Sequence, residues 1–365
     1  NAFENCKNII SIKLPGTIEG IGDVAFAGCE SLASVNIPDA VTSIGMRVFD
    51  GCTSLKSLTL PSGLQSIGSS AFDGCTSLES INIAEDRKLF EQLLRKLQIP
   101  QPKGAAIRKP SEAVEVARTL GYPLLVRPSY VIGGRGMQVV YNKDELLSYI
   151  EGALKFSDEH PILIDQYIEG TELELDAIAD GENVLIPAIT EHVERAGIHS
   201  GDSIALYPTR TIPQNIINNL VEYTQKIAKE LKIKGLMNIQ FVLKDNTAYI
   251  IEVNPRASRT VPIFSKVTGI PMVKIAIDAI LGKSIPEQGY TPGLVPTRNL
   301  VCAKIPIFSF QKLNRIDPAL APEMKSTGEV LGIDTSFESA LAKGFLAAGY
   351  KLSTERGNVL ISIND

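Results

Sequence analysis

The chain has 365 residues, 44% of them hydrophobic, with 36 Lys and Arg against 41 Asp and Glu for a net charge of −5. That length accommodates two or three domains with substantial cores. The mixed charge carries no basic footprint for nucleic acid or an anionic membrane. No apolar run approaches the ~20 residues of a bilayer span, so a soluble protein is expected.

The first 83 residues repeat with a period of 23: Phe3, Phe26, Phe49 and Phe72 are in register, as are Cys6, Cys29, Cys52 and Cys75. Leu32, Leu55 and Leu78 follow each Cys by three, while Pro15, Pro38 and Pro61, and Gly22, Gly45 and Gly68, recur at the same interval. A period in this range predicts a solenoid, each turn burying its apolar face against its neighbours. Leu58-Thr59-Leu60 and Ile81-Asn82-Ile83 supply one short strand per turn. These residues resemble the surface-protein type of leucine-rich repeat. Four of the five cysteines belong to this pattern and read as a spine of buried thiols; an odd total without compact disulfide spacing favours reduced cysteines. The chain opens at Asn1, inside a repeat, with no signal peptide in view.

The repeat then stops. The residues due to be Pro, Phe and Cys are Ala84, Arg95 and Gln98, and no Gly- or Ser-rich linker intervenes. From Glu85 an amphipathic helix is predicted, with Leu89, Phe90, Leu93, Leu94 and Leu97 on one side. Further along, helices are predicted over Ser111–Leu120 with Ser111 as N-cap, Lys143–Phe156, Gln214–Leu231 and Met272–Leu281. Strands are predicted over Pro123–Arg127, Met137–Tyr141 and Ile162–Gln166, and over Glu172–Ala179, whose polar–apolar alternation reads as half-buried. Asn238–Leu243 and Ala248–Asn254 form a hairpin turning at Asp245-Asn246. Such mixing of short strands, hairpins and helices indicates an α+β or α/β enzyme domain.

Chemistry concentrates at a few places. Glu252 and Asn254 alternate with Val253 on a strand ended by Pro255, so a carboxylate and an amide oxygen share one face; Gln240, across the hairpin, is a third oxygen. Arg256 and Arg259 beyond them suit phosphate. Gly133, Gly134, Arg135 and Gly136 form a hairpin-tip loop whose backbone amides are free to turn toward phosphate oxygens. No helix follows these glycines directly, which excludes a Walker loop and a dinucleotide fingerprint. Arg127 before Pro128 is a candidate phosphate clamp. Gly197 through Ser203 is polar and turn-rich and carries His199.

Together these stretches resemble the carbamoyl phosphate synthetase large-subunit family. The residues that carry the resemblance are Asp86-Arg87-Lys88, Val126-Arg127-Pro128-Ser129-Tyr130, Gly133-Gly134-Arg135, Gly197–Ser203 and Glu252 through Arg259. It covers Glu85–Asp365 and implies a multi-domain chain: a leucine-rich-repeat solenoid fragment followed by an α+β ATP-grasp domain. Ala196 and Thr260-Val261-Pro262 are similar to the second synthetase half, which in the family phosphorylates carbamate. The resemblance implies that Arg127, Gly133, Gly134, Arg135, Gln166, Ile168, Glu172, Gly197, Ile198, His199 and Ser200 bind ATP, with Glu172 on the ribose. It gives Gln240, Glu252 and Asn254 to Mg²⁺ or Mn²⁺, and Arg256 and Arg259 to the transferring phosphoryl group and carbamate. Gln166 stands where the family often has a basic residue, the stretch from it to Glu172 is one residue shorter, and Gly136 replaces an alanine.

The implied domains are repeats at 1–84, ATP-grasp at 85–285, the C-terminal part of the synthetase region at 286–351, and the start of a methylglyoxal-synthase-like regulatory domain at 352–365. The family further implies a cytoplasmic setting for the synthetase region and a glutamine-hydrolysing small subunit as partner of the intact enzyme. ATP binding and carbamate phosphorylation are expected of this piece, and the overall synthesis is not, because the first synthetase half is absent. Two other readings remain: a surface recognition module built on the repeats, and a non-natural fusion of two gene fragments at residues 83–85.

Overall fold

The computed structural model describes residues 2–38, 40–55, 57–59, 61, 64, 66–75, 87–128, 136–154, 162–309 and 320–350. It divides into two compact units. The first takes in the repeats, the chain up to Pro102, Leu173–Ile189 and Ile212–Pro296; the second takes in Lys103–Glu172, Thr190–Thr211 and the chain from Thr297.

Within the first unit the 23-residue period becomes a spatial one. Strands β1 (Ser11–Lys13), β3 (Ser34–Asn36) and β5 (Ser57–Thr59) pair in parallel, Ser11 beside Ser34 and Ser34 beside Ser57. A second parallel ladder joins β2 (Gly20–Ile21), β4 (Ser43–Ile44) and β6 (Ser66–Ile67). The phenylalanines stack ring on ring, with centroids 5.3, 5.4 and 5.5 Å apart from Phe3 through Phe72. Cys29, Cys52 and Cys75 are buried, and each thiol donates to the carbonyl of a Phe in the preceding turn, at 3.0, 3.2 and 3.1 Å. The thiols thus lie inside the apolar column, as the spine reading expects. The recurring glycine also has a spatial cause. A Cβ on Gly68 would lie 2.3 Å from the backbone nitrogen of Met46, so stacked turns approach too closely for any side chain there. Ile81–Ile83 and the junction at 83–85 lie outside the described residues.

The rest of the first unit is layered. Helix α1 (Arg87–Lys96) buries Leu93 and Leu94 but leaves Leu89 exposed. Strands β11 (Thr171–Asp180), β14 (Lys234–Lys244) and β15 (Thr247–Asn254) send Leu173, Leu175, Met237, Ile239, Phe241, Ile250 and Val253 into one core. Helix α4 (Gln214–Glu230) supplies Ile216, Leu220 and Ile227 to the same core. Two shorter helices follow, α5 (Val261–Thr268) and α6 (Met272–Ile280), and α6 lies against β14.

The second unit carries an antiparallel sheet ordered β7–β10–β8–β9: Gly104–Ile107, Ile162–Gln166, Leu124–Pro128 and Gln138–Val140. Helices α2 (Pro110–Leu120) and α3 (Lys143–Leu154) cover it through Ala113, Ala117, Leu146 and Ile150. A further ladder is formed by the end of β12 (Val184–Arg195), β13 (Ala205–Tyr207), β17 (Val301–Ile307) and β18 (Gly328–Asp334), where α7 (Phe337–Ala347) packs. Between β12 and β17 in sequence, β16 (Gly293–Leu294) pairs with β12 inside the first unit.

Two expectations need correction. Helix α2 begins at Pro110 with Lys109 as N-cap, not Ser111: proline is preorganised for the first helical position. There Glu112 accepts from the backbone N–H groups of Arg108 and Lys109 at 2.8 and 3.3 Å. Strand β11 is buried on both faces rather than half-buried, because Glu172, Glu174 and Asp176 are enclosed by polar partners instead of water. None of the described helices is long and apolar enough to cross a membrane.

Candidate functional site

In the first unit the β14–β15 hairpin builds the candidate cation site. Its turn is made by Asp245 and Asn246, both at positive φ (49° and 58°), as a two-residue turn between twisted strands requires. Pairing then sets Gln240 opposite Glu252 and Asn238 opposite Asn254. The register slips between Gln240 and Phe241, whose partner is Ile250, so Ile251 is the extra residue of a β-bulge. Ala248 and Ile250 on one side of it and Val253 on the other all reach the core, which leaves Glu252 and Asn254 on the opposite face. Glu252 is exposed, while Gln240 and Asn254 are half-buried.

Behind this face lies a polar cluster that sequence reasoning missed. Asn238 Nδ2 donates to Glu174 Oε1 at 2.9 Å and to Asp176 Oδ1 at 3.3 Å. Asp176 Oδ2 accepts from Ser258 Oγ at 2.7 Å and from Thr260 Oγ1. Burial first, then the neighbouring Glu174 charge, pushes the Asp176 carboxyl up to about 7, against the three hydrogen bonds that favour the anion. Arg256 and Arg259 are exposed in the segment that follows β15, with Arg259 between the two hydroxyl residues.

The second unit gathers the nucleotide candidates around the start of β11. Glu172 is buried; its Oε1 accepts from the backbone N–H of Gly197 at 3.0 Å, and its Oε2 lies 3.3 Å from Nδ1 of buried His192. Gly197 has φ +93°, and a Cβ there would lie 2.8 Å from the Tyr167 ring. His199 Nδ1 accepts from Gly201 N–H at 3.1 Å, and its own backbone N–H donates to Ala321 O at 3.0 Å. The Ser200 carbonyl accepts from buried Lys304 Nζ at 2.7 Å. Asp202, fully buried, takes the backbone N–H groups of Lys325 and Ser326 at 2.7 and 2.8 Å. Segment 197–203, which includes Ile198, is thereby tied down from both ends.

Arg127 is one-third exposed on β8, with Nε 3.5 Å from Asp165 Oδ2 on β10. Gln166 is exposed at the end of β10, and Ile168 is buried. Strands β8 and β9 pair antiparallel on either side of the glycine loop, as a hairpin tip demands, but Gly133, Gly134 and Arg135 lie outside the described residues. Neither Lys304 nor Asp176 was identifiable from sequence, and the anchoring role of Asp202 inside the Gly197–Ser203 run was not either, since their partners lie 104, 84 and 124 residues away.

The donor set of the hairpin fits a hard cation: one carboxylate and two amide oxygens, with room for phosphate and water oxygens on the exposed side. Among the described residues no group of three or more His, Cys, Asp or Glu is arranged to hold a metal, so the site depends on its neutral oxygens.

Residues 86–288 match the family described as carbamoyl-phosphate synthase L chain, ATP binding domain, and residues 1–94 match six copies of the BspA type leucine rich repeat region. The carbamoyl phosphate synthase large chain of Clostridium acetobutylicum is 56% identical over 284 residues, which cover 78% of this chain and 27% of that protein. The chain therefore spans about a quarter of that relative's length. Among solved structures, N5-carboxyaminoimidazole synthase from Aspergillus clavatus, in complex with ADP and its ribonucleotide, aligns over 88% of this chain and 82% of its own (TM-score 0.60, 16% identity). A biotin carboxylase from Campylobacter jejuni, as its β-γ-ATP complex, aligns over 74% and 60% (TM-score 0.56, 19% identity). At such identities the structural likeness concerns the fold, whereas the sequence match over more than half the chain identifies the lineage. Beyond its repeats, the chain belongs to the carbamoyl-phosphate synthase L chain, ATP binding domain family.

Proposed function

We propose that residues 85–285 form an ATP-grasp domain that binds MgATP and transfers its γ-phosphoryl group to carbamate. The observation that carries this reading is the bulged hairpin, which turns Gln240, Glu252 and Asn254 to one face while their neighbours fill the core. The reaction asks little covalent chemistry of the protein. A carbamate oxygen attacks the γ-phosphorus, the bond from that phosphorus to the β–γ bridging oxygen breaks, and ADP departs with the electron pair. Gln240, Glu252 and Asn254 would hold Mg²⁺ (or Mn²⁺), which when bound neutralises charge on the phosphate oxygens. Arg256 and Arg259 orient the transferring group and the carbamate; Arg127, the Gly133–Arg135 loop, Gln166, Ile168, Glu172 and residues 197–200 hold the nucleotide. Positioning of this kind supplies most of the acceleration in phosphoryl transfer. The partner of the complete enzyme is a glutamine-hydrolysing small subunit.

The test is differential scanning fluorimetry of the purified chain with ATP, with and without Mg²⁺. A rise in unfolding temperature that needs both is expected; no rise with both present sinks the reading.

The repeats, in turn, are a short solenoid fragment occupying 1–84, supported by the two parallel ladders and the phenylalanine stack. Residues 286–351 complete the synthetase region. A surface recognition role for the repeats predicts further repeats and a signal peptide in the full gene. The abrupt change of pattern at 83–85 favours a join between two genes, and a single genomic or transcript read that crosses it intact would refute the join.

A further inference from the structure

We propose that Asp176 is a positioning residue for phosphoryl transfer, fixing the segment that carries Arg256 and Arg259. A fully buried carboxylate is costly unless donors surround it, and here the donors are two hydroxyls and an amide rather than a cation. Both hydroxyls come from one short stretch of chain. Ser258 Oγ reaches Asp176 Oδ2 at 2.7 Å, Thr260 Oγ1 reaches the same oxygen, and the backbone N–H of Thr260 donates to Ser258 Oγ at 3.1 Å. Ser258 Oγ and Thr260 Oγ1 also lie 2.7 Å apart, so the two hydroxyl protons are shared among three oxygen contacts, while Ser258 Oγ receives a further proton from the backbone. The third donor, Asn238, is the cross-strand neighbour of Asn254, so the same carboxylate links the arginine segment to the hairpin that presents Glu252. Arg259, held between two anchored residues, and Arg256, whose backbone N–H donates to Asn254 O at 2.7 Å, inherit their placement from this node. The backbone beneath exposed arginines sets where their guanidinium groups can reach, and an error of about 1 Å in a phosphoryl-orienting group costs on the order of 100-fold in rate.

The inference rests on the phosphoryl-transfer reading only for its kinetic arm. Asp176→Asn and the double variant Ser258→Ala/Thr260→Val are compared with the unmodified chain in two measurements. The first is amide hydrogen exchange over residues 256–260 without nucleotide. At least about tenfold faster exchange is expected in both variants, with the strand amides of β14 and β15 unchanged in the double variant. The second is the reverse reaction, ATP formation from MgADP and carbamoyl phosphate. Here kcat is expected to fall about 10- to 100-fold while KM for MgADP stays within about twofold. Unchanged exchange overturns the proposal. So does faster exchange with unchanged kcat, and so does a loss carried by KM alone. If Asp176→Asn does not fold, the double variant, which keeps the buried carboxylate, carries both arms. An unmodified chain with no turnover refutes the phosphoryl-transfer reading, and the exchange measurement still decides whether Asp176 fixes the segment.

Discussion

The backbone N–H of Gly197 donates to Glu172 Oε1 at 3.0 Å across 25 residues of sequence, tying the proposed ribose carboxylate to the loop proposed to line the nucleotide. Gly197→Ala attacks this link from the backbone side. With φ at +93° and the Tyr167 ring 2.8 Å from the new Cβ, the loop must shift, at a cost of about 1–3 kcal/mol. Urea denaturation should show that loss, and ATP titration should show weakened binding in parallel. Lost stability with unaltered affinity would remove Glu172 and Gly197 from the nucleotide site.

Glu252→Ala separates ligand binding from folding. Glu252 is exposed, so without Mg²⁺ the variant should match the parent within about 0.5 kcal/mol. With Mg²⁺ and ATP at a hundredfold excess over Kd, the parent gains about 2.7 kcal/mol and the variant should gain little. Thermal scans at matched ligand concentration check this; equal gains would discard the carboxylate as a ligand.

Asp180 gives the first unit an acid-sensitive joint. Burial raises its pKa, but the backbone N–H groups of Asn183, Ile285 and Glu182 outweigh burial and hold the carboxyl below its ordinary value. A folded-state pKa below the unfolded one adds stability that is present above the unfolded value, about 3.9, and is lost as pH falls through the folded value. Asp180→Asn should therefore cost about 2–3 kcal/mol at pH 7, as expected for charge-assisted bonds. That deficit should shrink as the pH falls below about 4. Denaturation midpoints at pH 7, 5 and 3 test it, and a pH-independent deficit contradicts it.

Burial pushes the thiols of Cys52, Cys75 and Cys302 up to about 12, and also raises Cys29. Since the thiolate is the reactive form, native chain at pH 8 should label with a disulfide reagent at Cys6, with the other four reacting only on unfolding. Phe49→Ala, which removes a fully buried ring stacked on Phe26 and Phe72, should cost about 3–5 kcal/mol and admit reagent to Cys52 and Cys75. Mass spectrometry of labelled peptides reads both outcomes. Native labelling at Cys52 in the parent would contradict the buried-spine reading.

The sequence was most legible where the interaction partners are close in the chain or recur at a fixed interval. Phe26 over Phe49 follows from a period, and Asp245-Asn246 from the turn chemistry between two apolar runs. The strand Ile162–Gln166 was read with its observed limits, because its apolar run Ile162-Leu163-Ile164 is buried in the sheet. The alternation of β11 was read correctly and its burial was not: whether Glu174 and Asp176 face water depends on Asn238, Ser258 and Thr260, more than sixty residues on. The same distance concealed Lys304 behind Ser200 and Asp202 behind Ser326. Polar residues enclosed by remote partners leave no local trace.

The bulge at Ile251 acts as a half-step in the strand's count. Before it the even-numbered residues Ala248 and Ile250 point inward; after it the odd-numbered Val253 does. Were the strand to run on without the bulge while keeping every residue, inside and outside would exchange beyond Ile250, driving Glu252 toward the hydrocarbon core and Val253 toward solvent. This hairpin should therefore tolerate deletion of Ile251, which restores plain alternation with Glu252 outward and Val253 inward, yet reject any change that flattens the bulge and keeps the residue. Its polar face is encoded by the parity of the chain as much as by the identity of its residues.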